Sequence, residues 1–393
     1  MEKNKELSLL RGIAIMAVVG IHTLGNATTI LQVGKVGWLL FVVSQLLQFA
    51  VPCFLFLSAI FITYNKDTIK WGEFYKKKII RVVIPFLLWT AFYICFNLRI
   101  GGITKEDLVT PGKWAIWLLF GKSYTHLYYM SLVIQLYLIA PLVVGLVKGI
   151  EKVFKKYDFI AILVVTWIIQ MGIYYLNRFY LVDRFPYTST LIVWYSYVAL
   201  YGVWVGRNYE RFKNGVKKLW FVIWPFAIIS AAIFIGFNIM NRLGLKGEDV
   251  FNSIGLTYRR TYQTLIRFIF GIIMTIAMLH ACILIANKKK EGILQKGIHK
   301  IGDYSFGIYF VHPVFTWLMY KLINASYMSE TTLSLPKIVG HKLMVTNPLQ
   351  LAVIVVIGYL LILLISMLIV KIIRKTPLSL PLLGERKIKK TKP

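Results

Sequence analysis

The chain has 393 residues, 58% of them hydrophobic and 16% charged, and a formal net charge of +30. So few charged residues cannot surface the soluble domains that this length would otherwise make, and a mean hydropathy of +0.67 is the opposite of a disordered composition. Lys and Arg fall in short clusters between apolar runs, which is a topology signal rather than a nucleic-acid footprint, and no finger, basic zipper or RNA-binding signature occurs.

Ten apolar runs bounded by charge or by Pro and Gly predict ten membrane helices, near 10–24, 38–62, 79–97, 126–147, 158–177, 191–206, 219–240, 264–286, 303–324 and 350–372. The segment 114–120 is too short to span and reads as an interfacial or re-entrant piece. The first run begins like a signal peptide, but it carries His22 in its apolar core and has no small-residue cleavage site, so it is read as a helix. Basic clusters at 3–11, 66–81, 148–156, 207–218, 288–300 and 371–392 all fall on the N-terminal side of this arrangement, whereas outer loops such as those holding Lys35 and Lys246 are sparser. The positive-inside rule then places both termini in the cytoplasm. The expected fold is an all-α polytopic membrane protein of about ten transmembrane helices: a membrane domain over 1–375 and a basic cytoplasmic tail over 376–393, suited to anionic headgroups. Cys53, Cys95 and Cys282 lie in apolar runs with no C-x-x-C spacing and read as small core residues, and no metal site is expected.

Ionisable groups inside spans cost several kcal/mol and are therefore the first places to look for function. None of the sixteen carboxylates falls at mid-span; Asp303 comes nearest. Arg11 and His22 are eleven positions apart, about 20° beyond three helical turns, so they share a face with about 16 Å between them along the axis. That distance is comparable to an extended pantetheine arm, and it is met equally by a snorkelling arginine and a structural histidine. In the run IGDYSFGIYFVHP, Ser305, Tyr309 and His312 recur at i, i+4 and i+7 on one face, with His312 at a depth similar to that of His22. The ordinary reading is hydrogen bonding to neighbouring helices beside a kink at Pro313. Lys76, Lys77, Lys78 and Arg81 meet the inner end of the third run, either as a membrane anchor or as a clamp for the phosphates of a nucleotide cofactor. Tyr124, Tyr128, Tyr129, Tyr175, Tyr180 and Tyr187 near outer ends fit an interfacial belt, some of them suited to stacking on sugar rings.

The runs LRGIAIMAVVGIHT, VPCFLFLSAIFI, KKKIIRVVIPFLLW, HLYYMSLVIQLYLIAP and GDYSFGIYFVHPVF, in this order, resemble the acyltransferase-3 family of integral membrane acyltransferases. The finer likeness is to its stand-alone members that modify surface polysaccharides, the intercellular-adhesion polysaccharide proteins among them. The resemblance implies a multi-pass protein of the bacterial cytoplasmic membrane. It implies an acyl-CoA donor, acetyl-CoA or succinyl-CoA, and a carbohydrate hydroxyl on a surface polysaccharide or lipid-linked glycan, with polysaccharide synthase machinery as a partner. It implies His22 as the base and Arg11 on the same face, and it places the family's paired-arginine cluster on Lys78 and Arg81, where lysine loses the bidentate fork. A neutral imidazole can take the hydroxyl proton as the oxygen attacks the thioester, with Tyr309 or Ser305 expected at the other ring nitrogen. An acyl-histidine intermediate is equally compatible. The competing class is a polysaccharide exporter or small-molecule transporter that uses the same helices without acyl chemistry.

Overall fold

The computed structural model describes residues 4–30, 35–66, 68–181, 185, 187–243, 259–288, 290–324, 337–339, 342–344 and 347–385; Lys246, Lys289 and the end of the basic tail lie outside them. The chain is an all-α polytopic membrane protein. Among the described residues, seven helical tracts are long and apolar enough to cross a bilayer: Lys5–Thr28, Lys35–Thr63, Trp71–Ile100, Ala140–Leu181, Trp220–Arg242, Gln263–Ala286 and Pro348–Ile373. All ten predicted runs are helical, but the remaining ones sit in shorter or more polar helices. The sixth falls on Ser196–Arg207 and the ninth on Ile293–Leu322, whose first turns carry Lys296, His299, Lys300 and Asp303. The fourth breaks at Ile139, where a helix over Tyr128–Leu138 gives way to Ala140–Phe154 with Pro141 in its first turn. The short segment around 114–120 is a ten-residue helix, Pro111–Phe120.

The chain divides into two compact units. The first comprises 1–51 and 219–372. It contains α1 (Lys5–Ile30), α2 (Lys35–Leu46), a 3-10 turn at Leu47–Phe49, and three further long helices, Trp220–Arg242, Arg259–Ala286 and Ile293–Leu322, followed by Pro348–Ile373. Helix α1 is apolar around its circumference and correspondingly enclosed: Leu7, Leu9, Leu10, Ala14, Ile15 and Val19 are fully buried. Its main neighbour is Ile293–Leu322. Three short strands, Ile323–Asn324, Lys337–Val339 and Lys342–Met344, form a small sheet in which the third is central.

The second unit comprises 52–218 and 373–393. Its basic helix, Trp71–Lys78, runs through a π-turn at Ile79–Val83 into Ile84–Ile100. A polar clamp secures the helix Asp158–Leu176: buried Asp158 accepts from both Trp204 Nε1 (3.1 Å) and Arg211 Nη1 (2.7 Å). Beside it in sequence, Arg207 pairs with Glu151 at 2.7 Å. Near the C-terminus the helix Ser379–Leu383 packs on Ile84–Ile100, with Trp89 Nε1 donating to the Leu382 carbonyl at 3.0 Å. It ends at Gly384, whose φ of +65° suits glycine, and whose missing side chain lets it lie against the carbonyl of Arg81.

Candidate functional site

Two polar constellations stand out, one in each unit. The first arises from the packing of α1 on the helix Ile293–Leu322, which carries the predicted Ser305, Tyr309 and His312. The two helices run parallel and approach closely through glycine. A Cβ on Gly12 would overlap the carbonyl of Ile298, and one on Gly302 would overlap the carbonyl of Ser8. Bare backbone of this kind lets membrane helices come nearer than branched side chains allow. His22 and His312 each lie ten residues beyond these glycines, about 15 Å along their helices. Equal offsets on parallel helices bring both rings to one level, with centroids 5.4 Å apart and planes tilted by 42°. Tyr320, farther along, donates its hydroxyl to the Thr23 carbonyl and ties the C-terminal part of the same seam.

Ser305, Tyr309 and His312 occupy one buried face, at 5%, 6% and 0% exposure. The Tyr309 and His312 rings are 6.4 Å apart. Arg11, half-buried, lies on α1 one residue before Gly12, and Asp303 is half-buried one residue after Gly302. Pro313 is interior to its helix and has no N–H to offer the Tyr309 carbonyl, so the turn is open there. The His312 ring folds back on its own helix: its Nδ1 lies 2.9 Å from the carbonyl oxygen of Ile308. His280, also buried in this unit, is occupied otherwise, with Trp224 Nε1 donating to its Nδ1 at 3.1 Å.

The second constellation is cationic. Lys78 places its ammonium 3.7 Å from the centroid of Tyr137 and 5.3 Å from that of Phe74. Lys77 pairs with Glu73 at 3.6 Å, and Lys76 and Arg81 are exposed. Arg81 sits at the middle of the π-turn, a local widening that recurs at functional sites. Lys66 joins the group, although its position in sequence marks it only as one more basic loop residue. Its ammonium donates to the carbonyls of Phe61 and Ile62, at 3.0 and 2.8 Å, at the end of the preceding helix. Burial, and then repulsion from Lys78 and Lys77, hold it below the usual lysine range. Lys66, Lys77 and Lys78 thus crowd like charges where the end of one helix meets the start of the next. Among the predicted tyrosines, Tyr124 stacks on Tyr93 at 4.6 Å, Tyr187 stacks on Phe120 at 5.1 Å, and the hydroxyls of Tyr129 and Ser58 lie 3.4 Å apart.

Thus the structure brings His22 together with His312 and places Ser305 and Tyr309 on the His312 face, while Lys76, Lys77, Lys78 and Arg81 belong to the other unit. Among the described residues no group of three or more His, Cys, Asp or Glu side chains is placed to hold a metal ion. Periodicity alone missed the glycine pair that seats the two histidines; its sequence trace is the shared ten-residue offset.

No solved structure matches the chain. Proteins of *Staphylococcus aureus* strains Mu50 and MSSA476 named as probable poly-beta-1,6-N-acetyl-D-glucosamine export proteins are 22% identical to it, over 81% of this chain and 84% of theirs. A protein of *Staphylococcus epidermidis* with the same name is 20% identical over 82% of this chain and 84% of its own. The family model described as an acyltransferase domain matches residues 4–371, nearly the whole of both units, and the chain therefore belongs to the acyltransferase-3 family.

Proposed function

We propose that the protein moves an acyl group, acetyl or succinyl, from cytoplasmic acyl-CoA to a hydroxyl of a surface or lipid-linked carbohydrate, with His22 as general base. The observation that carries this reading is an imidazole seated deep in the helices on another imidazole, with no mid-span carboxylate to make it a fixed cation. The family supports acyl transfer, and the names of the staphylococcal relatives support a polysaccharide as the other substrate. The distribution of Lys and Arg supports cytoplasmic termini, and the family and its staphylococcal relatives support a bacterial cytoplasmic membrane.

A sugar hydroxyl is a poor nucleophile at neutral pH. As its oxygen bonds to the thioester carbon, His22 takes its proton; the C–S bond then breaks, and the same proton passes to the departing thiolate, giving CoA thiol and the sugar ester. Such base catalysis is worth roughly 10² to 10⁴ in rate. Tyr309 and Ser305 carry the hydroxyl groups on the His312 face that we assign to the developing oxyanion. Lys76, Lys77, Lys78 and Arg81, with Lys66 beside them, supply positive charge for the CoA phosphates, and Arg11 shares a face of α1 with His22.

The relatives' printed names favour a second reading, export of a polysaccharide without acyl chemistry. One experiment separates the two. Purified protein is given labelled acetyl-CoA or succinyl-CoA with and without glycan, and His22→Ala is run alongside. The transferase reading expects glycan-dependent release of CoA, with transfer reduced about a hundredfold or more in His22→Ala while acyl-CoA binding persists. Transfer in the native protein should also decline at acid pH, because a protonated imidazole accepts no proton. Flux of glycan across proteoliposomes with no release of CoA would instead establish the exporter.

A further inference from the structure

A general base at neutral pH must present a lone pair, so one nitrogen of His22 has to be bare while the other disposes of its hydrogen. A carboxylate often fixes this choice, and no carboxylate lies at mid-span here. The ring packed on His22 is that of His312, and its own protonation pattern is dictated by the backbone. A carbonyl oxygen can only accept, so the 2.9 Å approach of His312 Nδ1 to the Ile308 carbonyl requires the hydrogen to be on Nδ1. In a neutral ring that leaves Nε2 as an acceptor. Centroids 5.4 Å apart leave room for a hydrogen bond of roughly 3 Å once a nitrogen of each ring is turned toward the other; in the structure His312 Nε2 is buried and makes no hydrogen bond, so the bond to His22 requires that turn.

We propose that His312 is the positioning residue of the base: the Ile308 carbonyl fixes its hydrogen on Nδ1, its Nε2 accepts the N–H of His22, and the remaining nitrogen of His22 is thereby held bare for the substrate proton. The inference rests on His22 acting as the base. It assigns to a second imidazole the role expected of Tyr309 or Ser305. When His22 takes up the substrate proton, its cationic ring donates a charge-assisted bond to His312, which spreads the new charge without a permanent counter-ion. His312 itself gains and loses no proton in the cycle. The Gly12 and Gly302 contacts contribute by fixing the distance between the two rings.

The experiment uses the full chain in lipid nanodiscs with ¹⁵N-labelled histidine, its six histidines assigned through His22→Gln and His312→Gln spectra. Long-range proton–nitrogen correlations should show His312 with a protonated Nδ1 and a bare Nε2. The tautomer of His22 should be single in the native protein and mixed in His312→Leu. A His312 protonated on Nε2, or a His22 tautomer indifferent to His312→Leu, overturns the proposal without any need for turnover. The kinetic arm compares three substitutions. Glutamine keeps an acceptor oxygen near the Nε2 position, asparagine places one near Nδ1, and leucine offers neither. His312→Gln should retain kcat within about tenfold of native, whereas His312→Asn and His312→Leu should fall about a hundredfold with KM for acyl-CoA unchanged. Glutamine no better than leucine would mark His312 as packing only. The two possible failures look different: undiminished transfer by His22→Ala removes the base, whereas a His22 tautomer that ignores His312 removes only its partner.

Discussion

Lys78 is held over the ring of Tyr137 at 3.7 Å, while Lys77 leans on Glu73 at 3.6 Å, so the two adjacent lysines are not equivalent donors. A phosphate approaching Lys78 meets an ammonium whose direction is already set by an aromatic face, with Arg81 three residues on in the π-turn. Charge-assisted contacts of this kind contribute about 1.5 to 3 kcal/mol each. Replacing both Lys78 and Arg81 with glutamine should therefore weaken acyl-CoA binding by roughly a hundredfold or more, flatten its dependence on salt, and leave the helices folded. Equilibrium binding at low and high salt checks this, and unchanged affinity would return the cluster to the role of a membrane anchor. The Arg11–His22 register and the face shared by Ser305, Tyr309 and His312 were legible in the sequence because each is set within one helix. The place of Lys66 was not, because its crowding by Lys77 and Lys78 arises only when the end of one helix meets the start of another.

The pairing of α1 with the helix Ile293–Leu322 shows where helical periodicity stops being informative. Periodicity gives the angle at which His22 or His312 leaves its own axis, but not which of the other helices will face it. That choice is made by Gly12 and Gly302, where two backbones meet without intervening side chains. Gly302→Val should push the helices apart, because its side chain would collide with the Ser8 carbonyl. Transfer should then fall by tenfold or more with acyl-CoA affinity largely retained, since none of Lys66, Lys78 or Arg81 belongs to this pair. Parallel measurement of kcat and donor affinity tests it; loss of affinity with kcat intact would mean that the seam serves donor binding instead.

At the scale of the whole chain, hydropathy located helices well because an apolar run has one comfortable environment, but it set their lengths less well. The ninth run extends through thirty helical residues, Ile293–Leu322, because Lys296, Lys300 and Asp303 cost nothing at a helix end that reaches water. The division into two units left no trace in the sequence, since each is assembled from segments distant along the chain. Orientation rests on charge alone and is directly testable. With Cys53, Cys95 and Cys282 replaced, a cysteine at Lys35 should react with an impermeant reagent in intact cells, and one at Lys213 should not; labelling at Lys213 would invert the topology. The same discontinuity has a consequence in time. His22 is synthesised roughly 290 residues before His312, and at about 5 to 20 residues per second the first helix waits roughly 15 to 60 s for the partner ring. Arg81 waits about as long for Gly384 to reach its carbonyl. Both constellations are thus completed from the C-terminal end, so a nascent chain can carry every residue of the base and the cation cluster in the membrane and still lack the contacts that shape them until synthesis is nearly over.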